Sequence, residues 1–496
     1  MNSITKKYIK ILSVASLFIV TSCSDLLVEI PKNSLAQETF FKTAQDAESS
    51  VYGIYAPMRE DQSYKVWFPA MLTNLNDYTF GRGSQVAISE YQGLDGTNIV
   101  RAELVWQRLY QSINYSNISI QEIPKVGMNE TKKKELIAEA KFLRALNYFN
   151  MVRLFGAIPI RTEPFTEINK VAGKRMPVAE VYKLIEADLT QAETDLPDKG
   201  VQEGRPNKWS AKTLLADAYL TTEQWQKAAN KADEVIKSGK FSLVEVKVSD
   251  DFLKIFGPTV QTTTEDIFSL KFSRIDQLGW GYVTFPHATN TPYSPGGNRA
   301  HFTRPTFPLI RDWANEDLRK DFNLYTDYVD RVTNKVVALP AAEPICFRKY
   351  RDGAAPSGSA SGNDYYFYRY ADALLIYAEA AAMAENGPSE LALERLNMVK
   401  RRAYGLSQTA PSAIDVKTGL SKETFRETVL VERAYEFMLE FKRWFDLKRM
   451  GTPYLKSKIK ESLNRDVKDV LLLWPIPKVE IDNNPDMKPA DQNPGY

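Results

Sequence analysis

The sequence predicts a mostly α-helical protein: tetratricopeptide-like helical hairpins carrying an irregular, loop-rich portion with a few short strands. Three observations predict it. Apolar residues recur at helical spacing over Glu135 to Phe155 and again in two paired segments further along. Each of those pairs occupies about 34 residues, the length of a tetratricopeptide unit. Between the helical blocks, residues 62–100 and 257–368 lose that spacing and fill with aromatic residues, Asn, Asp and Gly.

In the first helix Leu136, Ile137, Ala140, Leu143, Leu146, Phe149 and Val152 make a broad apolar face, and Gly156 stops it. A second helix begins after Met176-Pro177, where proline suits the first turn, and ends before Leu196-Pro197. Trp209 to Thr222 and Gln224 to Lys237 form a hairpin in which Ala218, Ala228 and Ala232 let the backbones approach closely. The same plan recurs from Tyr370 to Ala384, through Asn386-Gly387-Pro388, and on through Ser389 to Ala403. Two such units alone do not separate a solenoid from any antiparallel helix pair. A last helix is expected from Lys422 to about Met450.

The chain starts with a different kind of signal. Lys6, Lys7 and Lys10 precede a short apolar run, Ile11 to Val20, and small residues lead into Cys23. That run is too short to span a bilayer, for which about 20 residues are needed. Charge, length and cysteine together read as a lipoprotein signal peptide over 1–22, with Cys23 as the lipidation site and 23–35 as a lipidated tether. Removing the leader takes three lysines and shifts the formal charge from +2 to −1. A near-neutral chain gives no electrostatic reason to expect nucleic acid. Lipidation of Cys23 leaves Cys346 alone, so no internal disulfide is available. Residues 36–496 are expected to form a single domain, with helical hairpins within about 131–240 and 369–450.

The search for chemistry returns absences. No phosphate-binding Gly-Lys-Ser/Thr loop and no Gly-x-Ser-x-Gly elbow occurs. Only His287 and His301 are present, which argues against a histidine zinc site or catalytic triad. No cofactor and no catalytic residue is expected, and the sequence does not show whether a metal ion orders a loop. What remains is aromatic recognition: sugars present apolar C–H faces and hydroxyls, which suit flat rings beside hydrogen-bonding side chains. Trp67 with Asn74, Asn76, Asp77 and Tyr78 has that mixture, as does Trp280 with Tyr282, Asn290 and Tyr293. The competing reading is that these rings pack loops onto helices, as most tryptophans do.

Several long motifs carry a family resemblance. Glu139-Ala140-Lys141-Phe142-Leu143-Arg144-Ala145-Leu146-Asn147-Tyr148-Phe149, ending Leu154-Phe155-Gly156-Ala157-Ile158-Pro159, resembles the signature of the SusD/RagB nutrient-binding lipoproteins. So do Arg369-Tyr370-Ala371-Asp372-Ala373-Leu374 and Glu432-Arg433-Ala434-Tyr435-Glu436-Phe437 leading to Arg443-Trp444-Phe445-Asp446. Trp474-Pro475-Ile476-Pro477 and the ending Gln492-Asn493-Pro494-Gly495-Tyr496 are similar too. These motifs are scaffold: the charges from Glu432 to Arg449 are expected to pair with one another and with neighbouring helices.

The resemblance implies four tetratricopeptide-like hairpins, an outer-membrane location facing the cell exterior, and docking on a SusC-like TonB-dependent transporter. It implies capture of an oligosaccharide without cleavage. Two alternatives remain open at this point: the same architecture binding oligopeptides, as the RagB branch implies, and a polysaccharide hydrolase.

Overall fold

The computed structural model describes residues 40–165 and 171–496. The expected signal peptide, the tether and Cys23 lie outside the described residues. Eight helices form one continuous stack, each packed on the next. They are α1 (Ala44–Met58), then, beyond a short α2 (Trp67–Thr73), α3 (Gly96–Glu122), α4 (Glu130–Phe155) and α5 (Val178–Asp195). The stack continues through α6 (Lys208–Thr221), α7 (Trp225–Lys237), α8 (Tyr370–Ala384) and α9 (Glu390–Ala403). Taken in pairs these are four helical hairpins, the number the resemblance implied.

Local chemistry fixes the ends. Thr43 and Asp46 make a reciprocal capping box at α1, and the Asp95, Asn129 and Ser389 side chains accept from the first turns of α3, α4 and α9. Gly156 ends α4 at φ 74°, with its α-carbon facing Leu473 so closely that a Cβ would lie 2.9 Å from Cδ1. In the α6–α7 hairpin Ala218, Ala228 and Ala232 are buried at the crossing, as the spacing predicted.

The structure corrects the sequence reading in four places. The hairpins were expected only within about 131–240 and 369–450, so α1 was not foreseen. The longest described helix, α3, was not foreseen, because serines and asparagines interrupt the apolar residues of its inner face. Ser112 donates to the Ile54 carbonyl at 2.9 Å, and Asn117 donates to the carbonyl of Arg161 at 3.0 Å. Buried hydroxyls and amides are tolerated because each finds such a partner. A further helix, α12 (Thr452–Leu463), was also unforeseen. The helix expected from Lys422 to Met450 is two helices, α10 (Lys422–Glu436) and α11 (Arg443–Arg449). Leu439 and Phe441 between them adopt φ 58° and 62°, a conformation costing non-glycine residues roughly 1–2 kcal/mol each. Burial of both side chains and capture of the freed Glu436 and Met438 carbonyls by Lys349 offset that cost.

The two loop-rich regions, distant in sequence, are knitted together. Phe80–Gly81 pairs antiparallel with His301–Phe302, and the Tyr282 amide donates to the Lys65 carbonyl at 3.1 Å. The longest strands, Asp266–Leu270 and Tyr365–Arg369, pair antiparallel and carry the second region back onto the helices. A main hydrophobic core runs from Ala47 to Met487, and a small second one of Ala288, Phe302, Tyr325, Leu339 and Cys346 lies within the loop-rich portion.

Beneath the loops lies a buried ion network. Arg369 reaches Glu265 and Glu440, each at 2.8 Å, while Arg319 pairs with Asp317, Glu432 and Glu436. Arg433 and Arg449 share Asp446. These side chains are nearly inaccessible to water, so each charge needs its partner. Burial pushes the Glu440 carboxyl up, but Arg369 and Lys349 beside it prevail and hold it at about 2. Among the described residues no helix is long and apolar enough to cross a membrane.

Candidate functional site

Of the eight residues expected to meet a ligand, six are buried with partners of their own. Trp280 has no exposed surface; its ring packs against Phe272, Tyr350, Tyr365 and Phe441, and its Nε1 donates to the Tyr64 carbonyl at 3.1 Å. Tyr282 is equally buried, its hydroxyl 2.9 Å from Thr73 Oγ1. Asn74 donates to Ala70 O and Gln85 Oε1, and Asn76 donates to Thr73 O. Tyr78 accepts from the Leu439 amide, and Asp77 pairs with Arg443. For these six, packing explains the residue, and in this conformation none offers a face to solvent.

Trp67 is half-buried. Its ring meets the edge of Phe285 and lies under the Arg101 guanidinium, 4.1 Å from the ring centroid. Arg101 is fixed there by Asn98 Oδ1 and Ser84 Oγ, so one ring face is already taken. Asn290 sits at φ 62° and its side chain reaches Asp330, a turn-forming role. His287 is buried, with Nε2 2.7 Å from the Tyr350 carbonyl; burial pushes its imidazole down to about 4, so it is neutral at physiological pH.

Asp77 borders a small recess of about 230 Å³, where Arg443 already holds its carboxylate, while Tyr293 lines a larger, open one. The cleft measures about 690 Å³ and is built over the small second core. Tyr325 forms its floor, with Tyr293 at 5.2 Å and 63° and Tyr328 at 6.3 Å and 88° between ring centroids and planes. The tyrosines are oriented by hydrogen bonds: Tyr328 donates to the Thr289 carbonyl at 3.0 Å, and Tyr325 accepts from the Ala288 amide at 2.9 Å. Around the rings stand Arg311, Asn315, Lys320, Asp321, Asp327 and Arg348. Lys320 Nζ donates only to Trp313 O (2.7 Å) and Asn315 Oδ1 (2.8 Å) among the described residues. It therefore has a donor to spare. Cys346 beneath the floor is no nucleophile, since burial pushes its thiol up to about 12.

The cleft thus combines apolar ring surface with donors and acceptors of both signs. Sequence reasoning missed Tyr325, Tyr328, Lys320 and Arg348. The available signal was Leu324-Tyr325-Thr326-Asp327-Tyr328, a short run of tyrosines and polar residues inside the loop-rich region.

Fold and cleft define a class: a helical-hairpin scaffold that supports a loop-built, ring-lined recess. Comparison with known proteins identifies the family. The sequence profile described as the SusD family matches residues 276–496, and one described as "Starch-binding associating with outer membrane" matches 30–220. SusD-like protein P2 of Formosa agariphila is 30% identical, over 99% of this chain and 100% of its own length. A SusD homolog from Bacteroides thetaiotaomicron superposes with a TM-score of 0.78 at 24% identity, covering 93% of this chain and 98% of that one. A laminarin-binding SusD-like protein superposes at 0.72 with 23% identity, covering 92% and 100%. The chain belongs to the SusD/RagB family.

Proposed function

We propose that this protein captures oligosaccharides at the cell surface and passes them to a SusC-like TonB-dependent transporter of the outer membrane. One observation carries the binding reading: Tyr293, Tyr325 and Tyr328 gather around a 690 Å³ recess whose rim alternates cations, carboxylates and an amide. Ring faces suit the C–H face of a sugar, and the rim suits its hydroxyls. A family profile named for starch binding at the outer membrane and a structural neighbour named for laminarin binding support the ligand class. The protein acts by binding, without catalysis, and needs no cofactor. Tethering through a lipid on Cys23 would keep it over the transporter, as a single domain over 36–496. The test is a glycan array probed with the purified chain lacking residues 1–23. Saturable binding to one glycan class is expected; no binding to any glycan, with binding to an oligopeptide library instead, overturns the reading.

A further inference from the structure

A second recess of about 310 Å³ lies on the helical side of the molecule and shares no lining residue with the tyrosine cleft. It is walled by the loop from Asp198 to Arg205, the start of α6 at Asn207 and Trp209, Lys240-Phe241, and the strand from Asp266 to Ser269. Its volume falls at the lower end of the about 300–1,000 Å³ range of small-ligand sites. Two glycines shape the wall. A Cβ on Gly200 would lie 2.6 Å from Arg205 O, and Gly204, at φ 80°, would place one 2.7 Å from Lys271 Cγ. Only glycine permits the loop to fold this tightly.

One buried polar atom in this lining has no hydrogen-bond partner among the described residues. Asp266 is 7% exposed at its side chain; Oδ2 accepts from Lys271 Nζ and Ser269 Oγ, both at 2.8 Å, and Oδ1 accepts from nothing. Arg205 beside it is occupied: Nε and Nη2 hold Glu139 at 2.6 and 2.5 Å, and Nη1 faces Glu48 at 3.5 Å. Unfilled buried acceptors are rare in native proteins and call for a partner. The Asp266 oxygen needs a donor, which a hydroxyl supplies.

The rest of the lining suits a molecule with many hydroxyls. Trp209 is half-buried, with Nε1 donating to Asp198 Oδ1 at 3.1 Å. Asp198 is in turn held by Lys208 at 2.9 Å and Lys240 at 2.7 Å. Thr262 and Thr263 add hydroxyls, and Phe241 adds a second apolar surface. Lys208, about one-third exposed, lies 4.7 Å from the Trp209 ring centroid and must swing aside for a sugar to stack there. We propose that the groove at Trp209 is a second saccharide-binding site, independent of the tyrosine cleft.

This inference rests on the saccharide reading above, and the experiment separates the two. Titration calorimetry of the chain lacking residues 1–23 uses laminarihexaose and maltohexaose as probes, with any further glycan found by the array. The wild type is expected to show two sites, Tyr328→Ala one, and Tyr328→Ala combined with Trp209→Ala none. Lys240→Ala alters an exposed side chain and leaves the fold intact; it should weaken the Trp209 site severalfold. Unchanged stoichiometry and affinity in both Trp209→Ala and Lys240→Ala, with all binding lost in Tyr328→Ala, overturn the second site and leave the first standing. No binding by the wild type to any probe contradicts both.

Discussion

Arg443 grips Asp77 with two parallel hydrogen bonds, Nε to Oδ1 at 2.8 Å and Nη2 to Oδ2 at 2.5 Å, across 366 residues of chain. Both side chains are about 5% exposed. The pair fastens the first loop-rich region to α11, inside the motif that the sequence marked as scaffold. Arg443 also donates to the Leu430 carbonyl at 3.0 Å, so the same guanidinium holds α10.

Removing Asp77 therefore strands a buried cation. Asp77→Ala should cost about 3–5 kcal/mol of stability, the usual penalty for breaking a buried pair from one side. Urea denaturation followed by tryptophan fluorescence measures it. A change below about 1 kcal/mol, with a loss of ligand affinity, would return Asp77 to the binding site.

Trp280 and Tyr328 separate core from site in the same way. Trp280→Ala empties a fully buried position and should cost about 3–5 kcal/mol. The folded fraction should bind with unchanged affinity. An affinity loss in Trp280→Ala without a stability loss would contradict the assignment.

Acid should loosen the molecule in a defined window. Burial pushes the carboxyls of Glu440 and Asp446 up, but neighbouring cations, Arg369 and Lys349 for the first and Arg433 and Arg449 for the second, bring both to about 2. The ordinary values are 4.5 and 3.8. The unfolded chain binds these protons first, so the stabilisation is complete above about pH 5 and is lost as pH falls toward 2. Glu440 alone accounts for about 3 kcal/mol on the usual conversion. Thermal midpoints recorded from pH 6 to pH 2 should fall steeply below pH 4.5; a flat profile there would contradict the network's role.

The two cysteines should behave oppositely. In a Cys23→Ser chain, Cys346 should resist a thiol-alkylating reagent at pH 8 until denaturant is added, because its thiol is buried and protonated. In cells, Cys23 should take up labelled fatty acid, and Cys23→Ala should not, while retaining glycan binding in solution. Rapid native labelling of Cys346, or lipid uptake by Cys23→Ala, would count against these roles.

The scaffold was largely legible because helices with apolar faces announce themselves: Tyr370–Ala384 was read to the residue. Helix α3 was hidden by its buried serines and asparagines, and the break after Glu436 by the lack of any glycine or proline at Leu439 and Phe441. The site was harder, since a tryptophan beside polar residues reads alike in a core and in a cleft. Trp280 did carry a clue. It lies between Gly279, whose Cβ would fall 2.3 Å from Ala360 Cα, and Gly281, whose Cβ would fall 2.8 Å from Val66 Cγ2. Glycines on both sides signalled close backbone approach, hence a core position. No local pattern could show that Tyr293, Tyr325 and Tyr328 converge, because their spacing is set by the turns between them.

The most direct test of the tyrosine cleft is the affinity of wild type and Tyr328→Ala for the preferred oligosaccharide, measured by calorimetry on folded protein. Loss of this half-buried ring should weaken binding at the cleft by about tenfold or more while the melting temperature stays within a few degrees. Equal affinities in the two proteins, with saturable binding intact at every site, would show that the ligand sits elsewhere.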